Sequence, residues 1–536
     1  MPYIEKVRIR GYKRFVDSTF CFNPEKTVLV GDNESGKSTI LEAIDLAMNR
    51  NSHNFDLSLL PILFNQENVD KFKLCPSATT LPTILIQIFL GGVSDDPQFT
   101  EFQGTNWDGS QDKIVASGIE LTIQLDGSLL SKLADQITNG SIPCEYYHFV
   151  TTTFGNANYY PAMSPLSFCL VDASSGDAPA ISSYSKVIFE RLLPPEKQVE
   201  LKNHFSGSLS EAVKDTMKLL TETAPQFQAD ISKTSLEKII AVYEDNLPLT
   251  SKGKGKESFL KTKMMIDAKK EANVIALEEP ENHLSPAGMR TMISLIQEEN
   301  KGRQFLLTSH NSKIVSGVGL KDALLLSKDS QESLSLANLP AETSNYFRCV
   351  PNDSLLSFVL AKKVILVEGP SEVLYFGTFY EKLFPSHSLE KDQITIIPVN
   401  GLAFEPFIAV ANVLKKRVAL VTDNDAKSDK KAKLDERFHG IYSDSNCFQI
   451  FMEPDMHKRT FEICLYQENS AVISNLLTLE ENADYSNDYA GNDRVLGKML
   501  NEKTKTALFL SQSPDFKLKM KIPDYIAKAL RFIHDD

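Results

Sequence analysis

Gly31-Asp32-Asn33-Glu34-Ser35-Gly36-Lys37-Ser38 decides how the first half of the chain folds. Two glycines five positions apart, followed by Lys and Ser, form the pattern of a phosphate-binding loop. The flanks agree: Thr27 to Val30 is a short buried-strand run, and Ile40, Ile44 and Ala47 recur at helical spacing. In such a strand-loop-helix unit, backbone N–H groups cradle phosphates at the helix N-terminus. Lys37 is expected to reach the β- and γ-phosphates and Ser38 to ligate Mg²⁺, with Asn33, Gly36 and Thr39 completing the contacts to ATP.

Working outward, Val274 to Leu277 is a second apolar strand, ending in Glu278 and Glu279. An ATPase needs such an acidic strand end, so Glu278 is assigned to Mg²⁺ and Glu279 to the attacking water. Gln304 to Leu307 is a third strand, followed by Thr308-Ser309-His310-Asn311, where His310 is placed at the γ-phosphate. Tyr3 to Ile9 alternates as a strand, as do Thr83 to Leu90 and Ile119 to Leu125, around an exposed insertion at Gly91 to Asp112 that carries Trp107. Between Ser182 and Asn246 the pattern is helical (Leu209, Val213, Met217, Leu220; then Leu236, Ile239, Ile240, Tyr243), broken by Pro194, Pro195 and Pro225. A Gly/Lys/Ser stretch, Ser251 to Ser258, precedes a further helix.

From Lys363 the α/β grammar starts again. Val364 to Val367 is a buried-strand run ending in Glu368-Gly369-Pro370-Ser371-Glu372, and Val418 to Val421 runs into Thr422-Asp423-Asn424-Asp425. Strand ends are where α/β folds place ligands. Strand alternation would turn Asp423 and Asp425 to one side, beside Glu368. Oxygen ligands at this density suit Mg²⁺ or Mn²⁺, and paired ions of that kind cleave phosphodiesters. Lys427, Lys430, Lys431 and Lys433 read either as a DNA-backbone track or, more simply, as a solvated helix face. The chain closes on a helix at Tyr525 to Ile533.

Composition sets bounds. At roughly 100 to 200 residues per domain, 536 residues imply about three domains. Fifty-seven basic against 70 acidic residues give −13, which argues against a coat of positive potential but leaves room for a metal-holding acidic pocket. No run reaches the ~20 apolar residues of a membrane span, and the start lacks a signal-peptide core, so a cytoplasmic protein is expected. Seven scattered cysteines, never at metal-ligand spacing, read as reduced core thiols.

The ordered set of Gly31 to Ser38, Glu278-Glu279 and His310, with the opening Ile9-Arg10-Gly11-Tyr12-Lys13-Arg14-Phe15, resembles the ABC-type ATPase heads of SMC-like DNA-repair ATPases. Two departures stand out: Glu278 replaces the usual aspartate, and the Ser-Gly-Gly-Gln signature is degenerate in Ser251 to Lys256. Glu368-Gly369 with Asp423-Asn424-Asp425 resembles a Toprim domain. The two in one chain resemble the OLD-family (overcoming lysogenization defect) nucleases, which include anti-phage defence proteins of Gabija and retron systems. The implied fold is α/β, with an ABC-type head at 1–180 and 248–345, a helical insertion or dimerisation arm at 181–247, a Toprim domain at 360–470 and a helical extension at 471–536. By this resemblance Glu368, Glu372, Asp423, Asp425 and Glu462 are metal ligands, and Lys503, or failing that Lys505, neutralises the scissile phosphate. The implied activity is ATP-controlled, metal-dependent DNA cleavage by a homo-oligomer (a dimer or dimer of dimers), with a defence-system protein or reverse-transcribed nucleic acid as a further partner. The rival is a non-nucleolytic ATPase scaffold or sensor that binds DNA or a partner.

Overall fold

The computed structural model describes residues 1–50, 55–93, 96–106, 114–161, 164–172, 195–218, 243–244, 246–248, 251–268, 272–299, 302–349, 354–401, 403–442, 444, 446–481 and 483–535. Trp107, and Leu220, Leu236, Ile239 and Ile240 of the expected helical arm, lie outside them. The chain divides into two compact units, Met1–Val318 with Asp322–Ser335, and Gly319–Lys321 with Leu336–Asp536.

The first unit holds two large sheets. Strands β1 (Tyr3–Tyr12), β2 (Phe15–Cys21), β4 (Ile84–Gly91), β5 (Gln103–Asn106), β6 (Ile114–Leu125) and β7 (Tyr147–Thr153) form an antiparallel sheet in the order β2-β1-β4-β6-β5, with β7 also on β6. Strands β3 (Lys26–Gly31), β8 (Phe168–Asp172), β11 (Val274–Glu278), β12 (Gln304–Ser309), β13 (Ala323–Leu326) and β14 (Ser333–Ser335) form the other, ordered β14-β13-β3-β12-β11-β8 and parallel except for β14. The parallel strands are almost wholly buried, as strands covered on both faces must be, hence their continuous apolar runs. Helix α1 (Lys37–Asn49) buries Ile40, Leu41, Ile44 and Ala47 in the core that joins both sheets. A minor hairpin, β9 (Tyr243–Glu244) and β10 (Leu247–Pro248), completes the strands among the described residues of this unit.

Several local expectations change. The β-rich stretch after α1 also holds a helix, Gln66–Leu74, capped by Asn65. The insertion after β4 is not simply exposed, because Phe99 and Phe102 are buried and β5 joins the sheet. Helix α2 (Pro195–Lys218) starts at one of the expected breaks, as proline fits a first helical turn, whereas Tyr243, expected in a helix, sits in β9. Helix α3 (Lys254–Ala268) begins inside the Gly/Lys/Ser stretch, not after it, and α4 (Pro286–Glu299) follows β11. The cysteines are all free, but Cys21, Cys75 and Cys349 are exposed rather than core thiols.

In the second unit β15 (Lys363–Val367), β16 (Ile394–Pro398), β17 (Arg417–Val421) and β18 (Phe448–Phe451) make a wholly parallel sheet ordered β16-β15-β17-β18. Helices α5 (Pro370–Leu383), α6 (Glu405–Leu414), α7 (Lys430–His439), α8 (Phe461–Leu476), α9 (Lys503–Gln512) and α10 (Asp524–His534) surround it. Tyr375, Phe376, Phe379 and Tyr380 of α5 pack into one core with α8, α9 and α10. The parallel arrangement puts the C-terminal ends of β15 and β17 side by side, so Glu368 and Asp423 leave the sheet at the same edge.

Candidate nucleotide and metal centres

The nucleotide loop is braced from behind. Gly36 has φ +94, and a Cβ there would fall 2.5 Å from the Phe15 ring and 2.7 Å from Arg14 Cδ, so only glycine fits this close approach. Arg14 donates to the Glu34 carbonyl (2.9 Å) and to those of Ser327, Lys328 and Ser330, tying the loop to the segment after β13. Lys37 donates to the carbonyls of Gly31 (2.8 Å) and Asp32 (2.9 Å), and burial pulls its ammonium below the ordinary range against the carboxylates around it. The Ser35 hydroxyl is buried without a hydrogen-bond partner.

Parallel pairing brings the acidic strand end to the loop. Glu278 accepts a hydrogen bond from the Ser38 hydroxyl, and burial raises its carboxyl, helped by Asp172, Glu42 and Glu279. Glu279 sits at φ 41, its N–H donating to Thr308 Oγ1 (3.0 Å) and its Oε2 accepting from Asn282 (2.8 Å). His310 Nδ1 lies 3.5 Å from Glu279 Oε1 and 3.8 Å from Glu281 Oε1. Lys37, Ser38, Glu278, Glu279 and His310 therefore face one place, and Asn33, Gly36 and Thr39 belong to the same loop and helix start. A serine paired with a carboxylate, a lysine held by weakly competing carbonyls and an orphaned buried hydroxyl fit a nucleotide with its cation.

Sequence reasoning missed three members. Asp172 stands beside Glu278 because β8 pairs with β11. Glu281 accepts from Ser309 Oγ (2.6 Å) and the His310 N–H (3.1 Å), while its other oxygen is buried unpartnered. Arg14 was visible only as part of the opening turn.

The second centre gathers carboxylates from four segments. Glu368 Oε1 accepts from the Asp423 N–H (3.1 Å) and the Thr422 hydroxyl. Asp423 Oδ1 accepts from the N–H of Phe461, the residue before Glu462 (2.8 Å). The Ser371 hydroxyl lies 2.9 Å from Glu372 Oε2 and 3.4 Å from Glu462 Oε1. Lys503 donates to Glu462 Oε2 at 3.0 Å. Glu372 and Glu462 each occupy the first turn of a helix, α5 and α8, where the backbone favours negative charge.

This much negative charge is costly to bury. Burial, then Glu368, Glu462 and Glu372, push the Asp423 carboxyl up to about 8 against the pull of Lys503. Burial, joined by Glu462 and Glu368, pushes Glu372 up to about 7 despite hydrogen bonds from its own backbone and Ser371. Burial alone would pull the Lys503 ammonium down, but Glu462, Asp423 and Glu372 outweigh it and hold it raised. An all-oxygen set that protonates for want of positive charge fits a hard divalent cation.

The Asp423 and Asp425 pair does not form by strand alternation. Strand β17 stops at Val421, so both aspartates lie in the following loop, and Asp425 turns away at φ 50. It is half exposed and pairs with Lys430 (2.8 Å), which also lies 3.6 Å from Glu368 Oε1. Of the basic run, Lys430 thus points into the rim of the centre, while Lys433 pairs with Asp429 on an exposed surface. Asn424 between the aspartates is fully buried and donates to the carbonyls of Glu453 and Asp455 (2.9 and 2.8 Å), locking the loop. Lys505 is exposed and pairs with Glu502 (3.1 Å), whereas Lys503 faces the carboxylates. Thr422, Ser371 and Asn424 stood in the sequence only as neighbours of the acids, and Lys430 only as one of a basic run; the fold gives them their places.

The two centres belong to two kinds of domain in one chain, an ATPase domain and a Toprim domain. An AAA ATPase domain model matches residues 3–154, and the model described as overcoming lysogenization defect protein-like, TOPRIM domain, matches residues 359–425. The endonuclease GajA of Bacillus cereus is 23% identical over 193 residues, 35% of this chain and 32% of that protein. The Old nuclease of Escherichia phage P2 is 25% identical over 146 residues, 25% of this chain and 24% of that protein. The DNA replication and repair protein RecF of Synechocystis is 37% identical over 51 residues, 10% of this chain and 13% of that protein. The matched segments thus span a third or less of each relative's length. Both domain models and both nuclease relatives support an OLD-family protein, in which nucleotide and divalent metal use come with the domains. Glu462 and Lys503 lie beyond the matched Toprim stretch. Among the described residues no helix is long and apolar enough to cross a membrane.

Proposed function

We propose that the protein is a divalent-metal-dependent DNA endonuclease whose Toprim centre is controlled by ATP at the ABC-type head. The observation that carries this reading is the convergence of Glu368, Glu372, Asp423 and Glu462, with Lys503 facing Glu462 and Lys430 at the rim beside Glu368. In it, Glu368, Glu372, Asp423 and Glu462 hold Mg²⁺ or Mn²⁺, with Asp425 at the rim through Lys430. When bound, such ions polarise the scissile phosphate and supply hydroxide near neutral pH. Lys503, fixed by Glu462, presents positive charge to the phosphate oxygens as negative charge builds on them. Lys430 balances Glu368 and Asp425, and Asn424 keeps the loop in register.

At the head, Lys37 exchanges its carbonyl partners for the β- and γ-phosphates, Ser38 and Glu278 hold the Mg²⁺, and Glu279 orients the attacking water with His310 beside it. The head takes in Met1–Val318 and Asp322–Ser335, with helix α2 as part of a dimerisation arm, and Leu336–Asp536 carries the nuclease part of a cytoplasmic homo-oligomer. The similarity to GajA supports a role in anti-phage defence, with DNA as substrate and a defence-system protein or reverse-transcribed nucleic acid as partner.

The test is incubation with supercoiled and linear DNA in Mg²⁺ or Mn²⁺, with and without ATP. Nicking or linearisation by the wild type that disappears in Asp423→Ala supports the nuclease. ATP turnover with no cleavage under any condition would favour the scaffold.

A further inference from the structure

Among the described residues, three His, Asp, Glu or Cys ligand atoms draw within 4.8 Å of one another outside the carboxylate centre. They belong to His387, Asp392 and His534. His387 follows α5, Asp392 precedes β16, and His534 ends α10, so the set lies where the parallel strands begin. Glu368 and Asp423 lie where β15 and β17 end, at the opposite edge of the same sheet.

The cluster is organised beyond mere proximity. His387 Nδ1 is 3.0 Å from Asp392 Oδ2 and 3.1 Å from Oδ1. The Tyr380 O–H donates to Asp392 Oδ2 (2.7 Å), and its oxygen is 2.6 Å from His534 Nδ1, so one phenol orients both a carboxylate and an imidazole. The Phe384 ring stacks on the His534 imidazole at 3.8 Å and 16°, and the His387 ring meets it edge-on at 4.9 Å. Lys363 Nζ reaches the His534 carbonyl at 3.4 Å. Fixed imidazoles with an outer hydrogen-bond partner on the third ligand are what a metal site requires, and the half-exposed His387 gives a path of entry.

We propose that His387, Asp392 and His534 form a zinc-type transition-metal site that pins the last turn of α10 to the connection between α5 and β16. Two imidazole nitrogens and one carboxylate oxygen are a borderline donor set, suited to Zn²⁺ and its Co²⁺ surrogate rather than to the hard ions of the all-oxygen centre. Three protein ligands leave a fourth position for water. The site bears on the rest of the unit through α10, whose second residue, Tyr525, is buried against Cys464 and within the field of Asp423. The proposal stands independently of the nuclease reading.

The experiment is a Zn²⁺ titration of the metal-stripped full chain, by competition with a chromophoric chelator, in millimolar Mg²⁺ so that the carboxylate centre is filled. Wild type and Asp423→Asn are expected to take up one Zn²⁺ per chain with equal affinity. His387→Ala, at a half-exposed position, is expected to stay folded by circular dichroism and to bind at least about 100-fold more weakly, since losing even an outer partner can cost that much. His387→Cys, which restores a ligand, should recover most of the affinity, and Co²⁺ in the wild type should show the visible bands of a four-coordinate site. Absence of Zn²⁺ uptake by the wild type in Mg²⁺, or equal uptake by His387→Ala, would overturn the proposal.

Discussion

The nucleotide centre and the carboxylate centre use the same device, an acidic residue leaving the C-terminal end of a buried parallel strand, but they are assembled differently. The first is built on one contiguous block: Gly31 to Ser38 supply loop, lysine and hydroxyl together, and β11 and β12, far along the chain but adjacent in the sheet, add Glu278, Glu279 and His310. The second draws Glu368, Asp423, Glu462 and Lys503 from segments separated by up to 135 positions. The electrostatics differ accordingly. Lys37 is held among carbonyls and four acidic neighbours, while the carboxylate centre has too few cations and raises its own acids to about 7 and about 8. The head is prepared for an anion that brings its own metal, the Toprim centre for bare cations.

The sharpest way to break this contrast is Glu462→Gln. It removes a carboxylate that lies outside the conspicuous motifs and releases Lys503 from its ion pair. Cleavage is expected to fall by roughly 10²- to 10³-fold, the scale of losing a preorganised electrostatic group, with ATP turnover unchanged. Plasmid cleavage and phosphate release measured on the same preparation check this; cleavage within a few-fold of wild type would remove Glu462 from the centre.

Acidity gives the next largest effect. Asp423 and Glu372 hold protons more tightly folded than unfolded, where carboxyls titrate near ~4. Between about pH 4 and 8 the native state therefore binds more protons than the unfolded one, so metal-free stability is fullest below that window and falls as pH rises through it. Divalent metal must displace these protons, so its affinity and its stabilising effect grow across about pH 7 to 8. Melting temperatures from pH 5 to 9, in chelator and in Mg²⁺, should diverge with increasing pH; parallel curves would show that the cluster is not a cation site.

Asp425→Ala should have the smallest effect. Its carboxylate is half exposed and paired with Lys430, an interaction worth about 0 to 1 kcal/mol. A loss of cleavage of only a few-fold is expected, against abolition in Asp423→Ala. Equal losses would mean that Asp425 enters the centre when metal or DNA binds.

What could be read from the chain follows the same division. The nucleotide loop, its strand and its helix were legible because their residues are neighbours and their periodicity is local. Glu368 and Asp423 were legible as strand ends, but Glu462 and Lys503 only through family resemblance, since each opens a helix whose docking is a tertiary matter. Alternation misled at Asp425 because the strand stops at Val421 and the Asn424 anchor bends the chain. Asp172 and Ser371 had no signal at all and Lys430 only that of a basic run, their partners being fixed by strand order and helix packing rather than by spacing.

The central claim, two centres of separate chemistry in one chain, is tested most directly by crossing Lys37→Ala and Asp423→Ala and measuring ATP turnover and Mn²⁺ binding to the Toprim centre on both. The account predicts that Lys37→Ala loses ATP turnover and keeps Mn²⁺ binding, while Asp423→Ala loses Mn²⁺ binding and keeps ATP turnover. Loss of Mn²⁺ binding in Lys37→Ala, or its retention in Asp423→Ala, would contradict it.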